Sequence, residues 1–311
     1  MTHQTACPVC GAPASLESRA KGHIVSRCTQ CAHWFWQREQ TSTVIENERA
    51  NYETYVYDAI KLEDIPQVVF TVLEGLTATF ERYRSTGRLL DVGFGVGALL
   101  SVAKKRGWQT HGIEASRVAV EDARARDLGS VVQGDVLAPP WRDGFFDVVV
   151  MTELVEHIAD ARPFLAVAHR LLRPGGLLYL TTPNGRGLSA RVLGAGWSVV
   201  CPPEHVHLFS EDSIARALTS VGFGPVRVRS QGVFVHELAG AARALLGGPS
   251  RASAPDAAAN VPNGDARTGA AYALNSRLMG SHAGRFVKRA INAGAGRLRL
   301  GDNLVVFAER T

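Results

Sequence analysis

The chain has 311 residues, of which 46% are hydrophobic and 20% charged, and its formal net charge is +5. This length suits one large domain or two smaller ones, with enough apolar residues for a buried core. Charged or polar residues interrupt every apolar stretch, which excludes a membrane-spanning helix, and so mild a positive charge does not by itself indicate nucleic-acid binding. No basic-then-apolar leader follows Met1, so we expect the protein in the cytoplasm.

Two Cys-x-x-Cys pairs lie near the N-terminus. They are Cys7 with Cys10 and Cys28 with Cys31, and seventeen residues separate the pairs. Each pair can hold one tetrahedral ion from a tight turn, and two pairs complete a closed site of four thiolates. In the cytoplasm a metal site is favoured over disulfides, and the alternative of a redox pair needs a thioredoxin-like context that is absent here. We therefore predict a zinc ribbon over residues 1–40, stabilised by the metal.

Two histidines and an aromatic run lie near the cysteines. Since four cysteines are available, we expect His23 and His33 to be surface or hairpin residues. The aromatic run Trp34–Trp36 either docks the ribbon on the main domain or binds a partner. Docking is favoured because aromatic side chains bury much contact area.

A helical lead-in is predicted over residues 41–87. Between Ile65 and Arg84, apolar residues recur at helical spacing. They are Val68, Val69, Val72, Leu73, Leu76 and Phe80. This helix should cover one face of a sheet.

A strand, a glycine turn and a helix follow directly. The apolar run that ends at Val92 reaches Gly93, Gly95 and Gly97, and helical periodicity begins at Ala98. Glycine lets the backbone approach a ligand closely, and the spacing differs from the G-x-G-x-x-G of dinucleotide folds. A second strand ends on Glu114, whose carboxylate can accept hydrogen bonds from both hydroxyls of a ribose.

Strands and helices then alternate with short turns. The predicted strands are 88–92, 109–113, 130–133, 146–151, 176–182 and 224–230, and the predicted helices are 97–106, 116–127, 161–172 and 211–220. Such alternation predicts an α/β fold with a parallel sheet covered on both faces. Ligands of these folds bind at the carboxyl ends of the strands.

The ordered motifs resemble the class I S-adenosylmethionine-dependent methyltransferases over residues 88 to about 230 and the last ten residues. Runs 131–136, 145–151 and 171–180 are similar to the family's third strand, fourth strand and turn into the fifth. The resemblance implies a Rossmann-like seven-stranded sheet in a methyltransferase domain over 88–311, with an insertion at about 231–301. The residues implied to contact S-adenosylmethionine are Asp91, Gly93, Gly95, Gly97, Glu114 (ribose), Asp135 (adenine), Val136 and Thr152.

A second metal site is suggested after the fourth strand. Glu153, Glu156 and His157 resemble the metal-binding motif of ubiquinone-pathway O-methyltransferases and small-RNA 2′-O-methyltransferases. The resemblance implies magnesium or manganese beside the acceptor oxygen, where an ion lowers the pKa of a hydroxyl. In the alternative, Glu153 faces the cofactor while Glu156 and His157 form hydrogen bonds to the loop.

The loop after the fifth strand carries His205 and His207. Histidine suits proton transfer near neutral pH, so either residue can act as general base or complete the second metal site. The alternative is a structural role for both. With His157, these histidines form the predicted catalytic set.

We predict methyl transfer to oxygen of a small-molecule or carbohydrate-like acceptor. RNA methylation is a second hypothesis, because a zinc ribbon beside this fold resembles certain ribosomal-RNA guanine methyltransferases. The ribbon has few basic residues, so a nucleic-acid partner is not expected. A third hypothesis is a cofactor-binding module without turnover, in which the ribbon docks an unidentified protein.

Overall fold

The computed structural model describes residues 6–20, 23–36, 61–234, 237–238 and 294–311. The chain divides into two compact units that are discontinuous in sequence. The first draws on residues 1–38, 183–213 and 229–304, and the second on residues 39–182, 214–228 and 305–311. The domain boundaries predicted at residues 40 and 87 stay predictions.

The described ranges contain strands and helices in the predicted alternation. In chain order, the strands are β1 (Ala14–Ala20), β2 (His23–Cys28), β3 (Trp34–Trp36), β4 (Arg88–Val92), β5 (Gln109–Glu114), β6 (Ser130–Gln133), β7 (Phe146–Thr152), β8 (Leu172–Pro183), β9 (His207–Leu208), β10 (Phe223–Gln231) and β11 (Asn303–Arg310). The α-helices are α1 (Gln67–Phe80), α2 (Ala98–Lys105), α3 (Arg117–Ala125), α4 (Ala161–Leu171), α5 (Leu188–Leu193) and α6 (Glu211–Ser220). Within these ranges, none of the helices has the length and apolar character needed to cross a bilayer.

A seven-stranded sheet confirms the predicted fold class. Its strand order is β10-β11-β8-β7-β4-β5-β6. Strand β4 pairs in parallel with β5 and β7, and the β5–β6 and β7–β8 pairs are also parallel. The carboxyl ends of these strands therefore share one edge of the sheet, where ligands of such folds bind. Strand β8 begins four residues earlier than predicted, at Leu172.

The last two strands, β10 and β11, are neighbours in this sheet. The predicted insertion at about 231–301 connects them, and most of it lies outside the described residues. Most of the predicted lead-in before residue 61 also lies outside them.

Helix α1 packs on the sheet through one face. Phe80 is fully buried in a cluster with Leu89, Val148 and Tyr179, and Leu73 and Leu76 pack against it. Val72 has the same apolar character but is 61% exposed. The covering role predicted for this helix is confirmed, and Val72 lies outside its buried face.

A buried carboxylate anchors the turn before β4. Asp147 is 0% exposed, and its Oδ2 accepts hydrogen bonds from the backbone N–H groups of residues 85–87 at 2.6–2.9 Å. Its Oδ1 accepts from Arg173 Nε at 2.6 Å. Burial alone would raise the pKa of Asp147, but these donors outweigh burial and hold that pKa below its ordinary value.

The first unit contains a four-stranded sheet of order β1-β2-β3-β9. All three pairings are antiparallel, and Trp34 in β3 lies opposite Leu208 in β9. Trp34 and Trp36 are 3% and 5% exposed and pack in a cluster with Trp197 and Leu208. Burial of these aromatic residues agrees with docking inside the chain rather than with an exposed partner surface.

Candidate functional site

The glycine turn after β4 has left-handed backbone geometry. The φ angles of Gly93, Gly95 and Gly97 are +68°, +57° and +74°, a region that other residues enter only with strain. A Cβ on Gly97 would also lie 2.4 Å from Leu128 Cδ1. Glycine is thus required at this turn by both backbone conformation and packing.

Glu114 is fixed at the end of β5 and is 2% exposed. Its Oε2 accepts a hydrogen bond from the Gly95 N–H at 3.2 Å, and its Oε1 accepts from the N–H groups of Ala115 and Ser116 at 2.7 and 3.1 Å. Three backbone donors therefore hold this carboxylate against the glycine turn and the start of the following helix. The structure thus connects the glycine turn to Glu114, the two features from which the sequence predicted a nucleoside site.

Asp91 lies in β4 beside this carboxylate and is 3% exposed. Its Oδ1 has no hydrogen-bond partner among the described residues. Burial, and secondly the charge of Glu114, raise the pKa of Asp91 to about 8. An unpartnered buried carboxyl next to a second carboxylate favours a cationic ligand. A positive charge would offset both the cost of burying the ionised carboxylate and its repulsion by Glu114. S-adenosylmethionine, a sulfonium cation with an ammonium group, fits this chemistry.

Asp135 and Val136 follow β6, and Thr152 is the last residue of β7, so all three lie at the same edge of the sheet. Asp135 is exposed, and its Oδ1 accepts from Leu137 N at 2.9 Å, while Val136 is buried. Gly134 N donates to the backbone oxygen of Glu114 at 3.0 Å, which holds this turn against the end of β5. Contacts of Asp135, Val136 and Thr152 with a cofactor stay predictions.

The acidic motif begins directly after β7 with Glu153 and continues into a 3-10 turn, Val155–His157. Glu153 has φ +48°, and its Oε1 accepts a hydrogen bond from Thr181 Oγ1 at 2.7 Å. Glu156 is 1% exposed and accepts from Thr182 Oγ1 at 3.0 Å, while its Oε1 lacks a partner among the described residues. Burial, and secondly Glu153, raise the pKa of Glu156 to about 8.

A ligand atom of Glu156 lies within 4.8 Å of one on His157. Carboxylate oxygen and imidazole nitrogen suit a divalent ion such as magnesium or manganese. The donor Thr182 lies in strand β8, so the alternative in which Glu156 and His157 form hydrogen bonds to the loop also stays a prediction. The ligand roles of Glu153, Glu156 and His157 stay predictions.

His205 belongs to the first unit, and its Nδ1 is hydrogen-bonded to the backbone. Its Nδ1 lies 2.8 Å from the carbonyl oxygen of Val199, which can only accept. Nδ1 therefore donates, and in the neutral ring Nε2 carries no proton. This tautomer suits a base or a metal ligand, and both roles stay predictions.

His207 lies in strand β9 and is 6% exposed. Its Nδ1 is 3.0 Å from Nε2 of His33, which is 0% exposed. Burial, and secondly His207, keep the pKa of His33 well below its ordinary value. A surface position, one of the two expected for His33, is wrong because its ring is buried. Its place between the antiparallel strands β2 and β3 agrees with the other, a hairpin residue.

The four cysteines converge, as predicted. The Sγ–Sγ distances are 3.7 Å for Cys7–Cys31 and 3.5 Å for Cys10–Cys28 and Cys10–Cys31, and all four sulfur atoms lie within 4.8 Å of one another. Zinc–sulfur bonds of about 2.3 Å in a tetrahedron place sulfur atoms about 3.8 Å apart, whereas a disulfide needs about 2.05 Å. The backbone N–H groups of Gln30 and Cys31 point at Cys28 Sγ at 3.4 Å. The cluster can hold a zinc ion.

Several hydrogen-bond partners in the site have no motif of their own in the sequence. Thr181 and Thr182 hold the two glutamates, and His33 pairs with His207. Their only sequence signal is position, since the threonines end a predicted strand and His33 follows a cysteine pair.

Comparison with known proteins identifies the type of domain. Residues 68–228, just over half of the chain, match a family described as "Methyltransferase domain". The chain is 32% identical over 146 residues to the ubiquinone biosynthesis O-methyltransferase of Chelativorans sp. (43% of this chain and 58% of that protein). It is 29% identical over 175 residues to the protein of the same name from Cereibacter sphaeroides (50% and 70%).

The chain spans less than two thirds of the length of the first of these relatives. Among solved structures, phosphoethanolamine N-methyltransferase 2 of Haemonchus contortus in complex with S-adenosyl-L-methionine has a TM-score of 0.51 and 18% identity, covering 78% of this chain and 52% of that one. This likeness agrees with the α/β methyltransferase fold.

Proposed function

Because the chain belongs to the methyltransferase domain family, we propose that it transfers the methyl group of S-adenosylmethionine to an oxygen of a small-molecule or carbohydrate-like acceptor. One observation carries the proposal: the Glu114 carboxylate is bound to the glycine turn at the carboxyl edge of the sheet. The names of the two relatives support oxygen as the receiving atom.

On the donor side, the chain's own residues bind and orient S-adenosylmethionine. We propose that Gly93, Gly95 and Gly97 admit the methionine part, that Glu114 accepts from the ribose and that Asp135 meets the adenine. The unpartnered Asp91 Oδ1 would face positive charge. When bound, S-adenosylmethionine supplies a methyl group already activated by the sulfonium, so alignment is the main task of the protein.

On the acceptor side, the chain has to take a proton from the hydroxyl. We propose His205 for this role, because its Nδ1 donates to Val199 and leaves Nε2 as the basic nitrogen. His207 is instead bonded to His33 and buried, which supports a structural role for it. Glu156 and His157 would hold magnesium or manganese, and the four cysteines zinc.

Incubation with methyl-labelled donor tests this function. The acceptor panel holds three chemical classes, namely sugars, phenols and RNA oligonucleotides, with the Glu114→Ala variant as control. We expect label on a sugar or phenol hydroxyl, at a rate that falls in the variant. Transfer to RNA alone would overturn the proposal in favour of the RNA hypothesis, and donor binding without transfer to any class would favour the module without turnover.

A further inference from the structure

We propose that the four-cysteine cluster is a clamp that positions the histidine loop, defined as residues 202–210. In this proposal His33, His207 and Ser210 are positioning residues, and metal binding in the ribbon orders the loop that carries His205. The catalytic meaning of this clamp rests on the proposed function, because it requires His205 to act on the acceptor.

The first link is a strand pairing. Strand β3 begins three residues after Cys31 and pairs with β9, so that Trp34 lies opposite Leu208 and Phe35 opposite His207. Trp36 N donates to Val206 O at 3.4 Å, which extends the pairing into the loop. A strand of two residues has too little pairing of its own to be stable, so β9 depends on β3.

The second link consists of side chains of the histidine loop that form hydrogen bonds with the segment around Cys31. Ser210 Oγ donates to the carbonyl oxygen of Cys31 at 2.5 Å, and His33 Nε2 lies 3.0 Å from His207 Nδ1. Cys28 N donates to His33 O at 2.8 Å. Ser210 of the histidine loop is thus hydrogen-bonded to Cys31, and His207 to His33, which follows Cys31 by two residues.

The third link lies on the other side of the loop. Gly185 N donates to Phe209 O at 2.8 Å. A Cβ on Gly185 would lie 3.0 Å from Leu208 O and 3.1 Å from Trp34 Cδ1, so the turn, the loop and the ribbon meet without room for a methyl group. The histidine loop is therefore held between two neighbours, and one of them is the ribbon.

The ribbon in turn needs its metal. At the cysteine end of the ribbon the apolar cluster consists mainly of Cys7, Cys28, Cys31 and Phe35, so this end, from which β3 starts, has little hydrophobic stabilisation without an ion. Trp34 and Trp36 pack in a separate cluster further along the chain. Loss of the metal should loosen β3, then β9, and with it the position of His205.

Hydrogen exchange of the full chain, measured by mass spectrometry without acceptor, tests the clamp. In the Cys7→Ser/Cys28→Ser variant we expect amides of residues 206–210 to exchange at least tenfold faster than in the zinc-loaded protein. Amides of β4 and β5 serve as the internal reference, and affinity for S-adenosylmethionine should stay within twofold. An Ile24→Ala variant is the matched control, because this ribbon side chain is 52% exposed and lies outside the cysteine cluster.

A second variant leaves the cysteines intact. Gly185→Ala should raise exchange at residues 206–210 while zinc content stays at one ion per chain. Unchanged protection of residues 206–210 in the double cysteine variant, with faster exchange only in residues 7–31, would overturn the clamp and make the ribbon an independent module. The readout needs no methyl transfer, so failure of the proposed function is visible separately as absence of labelled product.

Discussion

The backbone N–H of Gly95 donates to Oε2 of Glu114 at 3.2 Å, although the two residues are 19 positions apart in sequence. This bond makes the glycine turn and the acidic strand end one rigid feature. A ligand that contacts the turn therefore meets a carboxylate already held in place.

Replacement of Glu114 by Ala should weaken S-adenosylmethionine binding by about 1–3 kcal/mol, since buried hydrogen-bond partners lose their acceptor. This corresponds to about 5- to 150-fold in the dissociation constant measured by calorimetry. Glu121→Ala is the control, because Glu121 is exposed and pairs only with Arg117 among the described residues. Unchanged affinity in a folded Glu114→Ala variant would remove Glu114 from the ribose site.

Donor affinity should depend on the protonation of Asp91. The pKa of Asp91 is raised to about 8, so the free protein carries a neutral carboxyl at pH 6 and 7. A cationic donor favours the ionised form, and its affinity should rise with pH up to about 8, by at most about tenfold per pH unit.

Calorimetry between pH 6 and 8 measures this dependence. The amino group of the donor also titrates near pH 8, so the comparison is between the slopes of the native protein and Asp91→Asn. The slope should flatten in the variant, whereas Glu121→Gln should keep it. Equal slopes in the native protein and Asp91→Asn would contradict a role for Asp91 in facing the donor.

The ribbon should contain one zinc ion per chain. Elemental analysis should find the ion in the purified protein and lose it when Cys7 and Cys28 are both replaced by Ser. Cys201→Ser is the control and should retain zinc, since Cys201 lies outside the four-cysteine cluster. A metal-free native protein with a folded N-terminus would contradict the prediction.

Turnover should require a second ion of a different kind. A chelator too weak to remove thiolate-bound zinc should lower activity, and magnesium or manganese should restore it. Donor affinity should stay nearly unchanged, because the expected ligands Glu156 and His157 are separate from Glu114. Full activity after metal depletion would refute this role, and pH–rate profiles of His205→Ala and His207→Ala would then identify the base.

Asp147 should stabilise the sheet in a pH-dependent way. Replacement by Asn leaves buried donors poorly paired and should lower the free energy of unfolding by about 2–3 kcal/mol at pH 7. Asp143→Asn is the control and should change it little, because the Asp143–Arg170 pair is exposed on both sides (58% and 46%).

The sign of the pH effect follows from the lowered pKa of Asp147. The contribution of Asp147 to the free energy of unfolding is present above the unfolded pKa of about 3.9. It is lost as the pH falls through the lower pKa of the folded state. The difference between native protein and Asp147→Asn in denaturant unfolding should therefore shrink below about pH 4. If this difference in the free energy of unfolding stayed constant from pH 7 to pH 3, the ionised Asp147 carboxylate would not be the stabilising group.

The sequence by itself determined the features that depend on local spacing. Alternating apolar runs and helical periodicity located the strands of the sheet and the helices between them, because these patterns follow the geometry of neighbouring residues. The glycine turn was visible for the same reason, and the two Cys-x-x-Cys pairs revealed the metal cluster because each pair can grip an ion from within one turn.

Only the tertiary structure decided which distant groups meet. His33 and His207 are 174 residues apart, and no local pattern shows that β3 pairs with β9 or that both rings become buried. The raised pKa of Asp91 likewise arises from burial and from Glu114, which reaches it only when β4 and β5 pair. Burial and long-range strand pairing are properties of the folded chain, so these relationships exist only after folding has selected the partners.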